Sequence, residues 1–167
     1  LQENLAFLRG WQQFFHGDSF VYDYPLGRAH YGDFGYVHIA RVISSDIKQL
    51  HKMGLDGYIS CQELRVSSPN ALPNYVMGYT LFDESADPQA LIQEYFTAAY
   101  GERAEQVLSY LNELSTLSSC DYLNGKGPRT DPAIAHRMEQ ISQLCQNSLP
   151  TPSTDGSPLF WEILQYH

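Results

Sequence analysis

The chain has 167 residues, 43% of them hydrophobic and 17% charged, which is the composition of one folded domain with a sizeable core. Ten Lys and Arg stand against 19 Asp and Glu, a net charge of -9, so a nucleic-acid partner is not expected, because phosphate binding needs clustered bases. Twelve Tyr and eight Phe are a heavy aromatic load, suited to half-wet pockets and sugar-binding clefts.

In chain order, Leu1, Leu5, Leu8, Trp11 and Phe15 recur at helical spacing, and Gly17 is the expected stop. Ser19-Phe20-Val21-Tyr22-Asp23-Tyr24, closed by Pro25, reads as a short buried strand. A glycine-bearing loop covers 25–36. Ile39, Ile43, Ile47 and Leu50 form the stripe of a second helix, with Gly54 in the place of a left-handed cap. Leu55 to Cys61 reads as a second strand, running out at Gln62-Glu63-Leu64. Strand, long loop, helix, short turn and strand make a unit with parallel strands.

The remainder reads as helical. Stripes run through Leu72, Val76, Tyr79 and Phe82, then Leu91, Ile92, Tyr95 and Phe96, then Ala104, Val107, Leu108, Leu111 and Leu114. Another opens at Asp131-Pro132 with Ile134, Met138, Ile141 and Cys145. Asp87-Pro88 and Asp131-Pro132 each place an N-cap before a proline suited to the first helical turn. The expected division is 1–69 as partial (β/α) units, 70–148 as a helical region, 149–158 as a linker rich in Pro and Ser/Thr, and 159–167 as a terminal helix.

Cys61, Cys120 and Cys145 lie far apart with no Cys-x-x-Cys pair, so neither a zinc site nor a disulfide framework is expected. No run is apolar and long enough to cross a membrane. Leu1 falls inside a helical pattern without a Met, so the chain reads as a piece of a longer polypeptide. The parent's compartment is left open, with a secreted or periplasmic bacterial setting as one option.

Several segments carry a resemblance. They are Val21-Tyr22-Asp23-Tyr24-Pro25, the join from Ile47 to Tyr58 through Gly54, and Pro73-Asn74-Tyr75-Val76-Met77 leading to Leu81-Phe82-Asp83 and Asp87. A fourth is Glu94-Tyr95-Phe96 running to Tyr100-Gly101. In this order they resemble a bacterial family of glycoside-hydrolase-like domains of unknown function, TIM-barrel proteins distantly akin to α-glucuronidases and hexosaminidases. The family's Trp-Asp-Pro is replaced here by Phe82-Asp83-Glu84. The resemblance implies an α/β fold: the C-terminal part of a (β/α)8 TIM-type barrel, with two parallel strands, followed by a helical region.

Asp23 and Glu63 end the two strand-like runs, so both carboxylates are expected at one rim of the sheet. Glycoside hydrolysis needs such a pair, one group protonating the leaving oxygen and the other acting as nucleophile or base. The plainer alternative is that Asp23 caps a loop and Glu63 pairs with Arg65. Tyr22, Tyr24, His30 and Tyr31 are the candidate substrate contacts, since aromatic rings stack on sugar faces while polar tips bond hydroxyls. His30, Asp33 and His38 match no established metal spacing, so neither metal nor cofactor is expected. Asp83 and Asp87 read as helix caps, Cys61 as an inert core thiol, and Tyr75, Tyr79, Tyr95 and Tyr100 as core.

The functional expectation is therefore a fragment of a carbohydrate-active enzyme, a glycoside hydrolase with paired carboxylates, inactive as an isolated piece. The alternative is a non-catalytic, helix-rich structural or carbohydrate-binding module. Expected partners are a carbohydrate substrate and either the rest of a barrel or a second copy of the chain, with no membrane and no nucleic acid.

Overall fold

A computed structural model describes residues 2–25, 27, 32–61, 69–128 and 130–166. Its helices are α1 (Gln2–Gln12), α2 (Val37–Leu50), α3 (Leu72–Phe82), α4 (Pro88–Tyr100), α5 (Ala104–Leu117), α6 (Cys120–Leu123), α7 (Pro132–Asn147) and α8 (Pro158–Gln165). Two strands, β1 (Phe20–Asp23) and β2 (Gly57–Ser60), pair in parallel with Phe20 opposite Gly57 and Asp23 opposite Ser60.

Both strands fall where the sequence places them, and they run in the expected sense. The barrel reading is overturned. The chain is 64% helical, and the two short strands make up its sheet among the described residues. In a barrel, helices pack outward from a closed sheet. Here the main core is helix on helix. Val37 and Ala40 of α2, Leu72 and Val76 of α3, Ile92 and Phe96 of α4, and Val107, Leu111 and Leu114 of α5 are all buried together. Trp161 and Leu164 of α8 close the same core from the far end of the chain. The strand run was also expected to be buried, but Phe20 is 62% exposed.

The helix ends follow from local chemistry. Asp87 Oδ1 accepts from the Gln89 amide at 3.0 Å, and Asp131 Oδ1 from that of Ala133 at 2.9 Å, each ahead of a first-turn proline. A 3-10 turn, His51–Met53, extends α2, and Gly54, at φ 71°, caps it, while the Leu55 amide reaches back to the Leu50 carbonyl at 3.0 Å. Helix α1 stops at Gln12, short of Gly17, and none of its residues is buried.

Helix α2 has an unusual start. Asp33, buried, accepts from the amides of Gly35, Tyr36 and Ile39 at 3.2, 3.1 and 2.8 Å. The buried Tyr36 takes a left-handed conformation, φ 61°, which a side chain other than glycine adopts at a cost. Gly35 sits directly on α5, where a Cβ would collide with the Leu111 carbonyl. The Ser115 hydroxyl accepts from the Val37 amide at 3.1 Å. This knot fixes the start of the helix that connects the two strands.

Candidate functional site at the carboxyl end of the sheet

Side chains alternate along a strand, so the register defines two faces. Val21, Asp23, Tyr58 and Ser60 share one of them. That face is covered, because Tyr58 packs against a cluster of Ile43 and Ile47 from α2 and Met77 from α3. Phe20, Tyr22 and Ile59 point the other way, followed by Tyr24 and Cys61 just beyond the strand ends. Among the described residues nothing covers this second face: Tyr22 is 53% exposed and Ile59 43%.

Asp23 is exposed at the carboxyl end of β1, the end at which open parallel sheets place their ligands. Its Oδ2 accepts from the Tyr58 hydroxyl at 3.3 Å and its Oδ1 from the Tyr24 amide at 2.8 Å. The Cys61 amide donates to the Asp23 carbonyl at 2.9 Å, so the chain leaving β2 passes directly beside Asp23. Glu63 follows two residues later and, with His30 and Tyr31, lies outside the described residues.

On the bare side the Tyr22 hydroxyl donates to Cys61 Sγ at 2.8 Å. The rings of Tyr22 and Tyr24 meet edge to face with centroids 5.4 Å apart. The hydrogen bond to Cys61, then that with Tyr24, pushes the Tyr22 phenol up to about 12. Tyr22 therefore stays a neutral donor with a half-open ring. Cys61, expected to be an inert core thiol, is half-buried and engaged by this phenol.

Asp46, on α2, was not picked out from the sequence. Partial burial, and after it the negative charge of Asp23, raises its carboxyl above the ordinary aspartate value. Two aspartates thus sit within electrostatic reach of each other. Asp46 takes up a proton at higher pH than an ordinary aspartate does, the kind of asymmetry that acid–base chemistry uses. The sequence did hold a signal: an acid three residues after Ile43 and beside Ile47, on the flank of an apolar stripe.

The other candidates resolve into structural parts. Asp33 is consumed in capping α2, and His38 is exposed on the first turn of that helix. Asp83 takes the Ser85 amide and hydroxyl at 2.9 and 2.7 Å, organising the turn after α3. Tyr95 and Tyr100 are core as expected, while Tyr79 is 47% exposed and is not. No three His, Cys, Asp or Glu side chains converge as a metal centre among the described residues. A groove of about 320 Å³ shares Ile47 and Tyr58 with this region but opens toward Leu55 and Gly57, at the amino end of β2.

Comparison with protein-family models, curated proteins and solved structures finds no match to this chain.

Proposed function

We propose that the carboxyl end of the sheet is the working site of a carbohydrate-active protein, a glycoside hydrolase that uses paired carboxylates, Asp23 and Glu63. One observation carries this reading: Asp23 is solvent-accessible at the carboxyl end of a parallel strand pair, and the segment that leads to Glu63 departs hydrogen-bonded to it. Tyr22 and Tyr24, half-exposed, lie on the opposite face of the sheet from Asp23, so they support the reading only for a sugar that wraps the end of β1, where Tyr24 adjoins Asp23 and the Tyr22 hydroxyl is already bonded to Cys61. The resemblance of the Tyr22-Asp23-Tyr24 segment to glycoside-hydrolase-like domains points the same way. In this reading the ionised carboxylate of the pair attacks or activates water, and its protonated partner donates to the leaving oxygen.

A second reading, non-catalytic carbohydrate binding, is favoured by the bare aromatic face on which Tyr22 and Tyr24 lie. A panel of aryl glycosides and oligosaccharides, tested on the protein for both binding and turnover, separates the two. Hydrolysis that falls by about a hundredfold or more in Asp23→Asn and Glu63→Gln, with binding retained, supports the enzyme. Binding without hydrolysis, lost in Tyr22→Ala and Tyr24→Ala, supports the second reading. Because the isolated chain is expected to be inactive, it is the absence of binding to every member of the panel, rather than the absence of hydrolysis, that contradicts both.

A further inference from the structure

Asp23 meets a donor on each of its oxygens, and the two donors come from different parts of the chain. The adjoining Tyr24 amide engages Oδ1 at 2.8 Å, whereas the Tyr58 hydroxyl reaches Oδ2 at 3.3 Å from the neighbouring strand. In the register Asp23 lies opposite Ser60, so Tyr58 stands two residues earlier on the same face. With strands about 4.8 Å apart and a rise of about 3.3 Å per residue, that diagonal is roughly 8 Å between Cα atoms. A short hydroxyl side chain at 58 would not span it, and a tyrosine does. Its half-buried ring packs against the cluster of Ile43 and Ile47 from α2 and Met77 from α3. The helical layer thus sets the place of a donor that acts at the exposed end of the sheet.

We infer that Tyr58 is the positioning residue of this site, and that it sets Asp23 as the ionised member of the carboxylate pair, leaving proton donation to Glu63. The inference rests on the paired-carboxylate reading and adds the division of roles within it. An ionised carboxylate only accepts hydrogen bonds, so it keeps both of the bonds that Asp23 makes. A proton on Oδ1 would meet an amide that can only donate. A proton on Oδ2 would be turned toward the Tyr58 oxygen, away from a leaving group. Each oxygen of the ionised group still has a second lone pair for a substrate. Glu63 then protonates the leaving oxygen as the glycosidic bond breaks. Asp23 either takes a proton from the water that bonds to the sugar carbon, or bonds that carbon itself until a water deprotonated by Glu63 displaces it. Positive charge grows on the sugar in this step. A sugar-shaped ring carrying an ammonium group therefore reports which carboxyl group is ionised.

Isothermal titration of the full chain is the test, because it reads these roles without turnover. The probes are protonated iminosugars of gluco, galacto and manno configuration and the neutral sugars of the same shapes. At least one iminosugar should bind about tenfold or more tightly than its neutral counterpart. That preference should vanish in Asp23→Asn, persist in Glu63→Gln and fall about three- to tenfold in Tyr58→Phe, which keeps the ring and removes the donor. A second signal needs no ligand: the NMR resonance of the Asp23 carboxyl carbon should move in Tyr58→Phe, with the far-ultraviolet circular dichroism unchanged. An Asp23 resonance indifferent to Tyr58→Phe overturns the positioning role. A preference for the charged ring that survives Asp23→Asn and is lost in Glu63→Gln overturns the division of roles while leaving a saccharide site in place. If no sugar and no iminosugar binds, the paired-carboxylate reading itself fails and the inference falls with it.

Discussion

Asp33 shows how much one side chain can organise. It is buried and gathers three backbone amides at the head of α2, next to a tyrosine held at positive φ. Asp33→Ala strands those donors in a place water does not reach, so urea denaturation should show a loss of about 2–3 kcal/mol. Asp33→Asn, which keeps one acceptor oxygen, should lose less. Asp46 is the opposite kind of residue, a surface carboxylate whose ionised form is mildly disfavoured by desolvation and by the charge of Asp23. Its folded form holds a proton more tightly than the unfolded chain does. Its contribution to stability therefore falls as pH rises through the window just above its ordinary value of 3.8. Asp46→Asn should accordingly raise the urea midpoint at neutral pH, with the gain vanishing below that value. Asp83 works the other way: the Ser85 hydroxyl and amide hold its carboxyl below its ordinary 3.8, so the stability it adds is lost only at lower pH. The two effects occupy separate parts of a pH–stability curve.

At the scale of elements, the helices divide by burial. Helices α4 and α5 bury apolar residues along their length, whereas α1 and α7 have no buried residue. Native-state hydrogen exchange should therefore be slowest in α4 and α5 and fastest in α1, and comparable protection of α1 would contradict this packing. Much of this division is legible in the sequence, because caps and stripes are local. Asp87-Pro88, Asp131-Pro132 and Gly54 each act within a few residues of their own position, so their roles survive any tertiary arrangement. The strands were also legible, through the β-branched and aromatic run at 20–23 and the glycine-capped return at 54–57. Exposure of the strand was not legible, since a short apolar run reads the same whether or not another layer covers it. The barrel misreading has the same origin: one strand–helix–strand unit is alike in a barrel and in a mainly helical fold, and the pattern of one unit does not count the others. Glycines mislead in a similar way, as Gly17 does, because α1 has already ended at Gln12.

The whole molecule couples a helical core to a small sheet through one connecting helix. Helix α2 buries Val37 and Ala40 in the main core and Ile43 and Ile47 against Tyr58 and Met77 beside the sheet. The far end of the chain is tied to the same core. The Glu102 amide donates to Asp155 at 2.9 Å, the Trp161 indole donates to the Asp155 carbonyl at 3.2 Å, and the indole packs on Tyr100 at 4.9 Å. The core thus positions the carboxyl end of the sheet. Of the candidate site, Asp23, Tyr22 and Tyr24 could be read from the strand itself. Tyr58 and Asp46 could not, because their relevance depends on the register and on where α2 lies. On the proposed function, this end of the sheet meets a saccharide. A two-dimensional 1H–13C aromatic NMR titration of the protein with oligosaccharides tests this. The expected result is shifts at Tyr24, which adjoins Asp23, and at Tyr58, whose hydroxyl donates to Asp23, weakened in Asp23→Asn. Shifts centred on other rings, such as Tyr79 and Phe82, or unaltered in that variant, would contradict it.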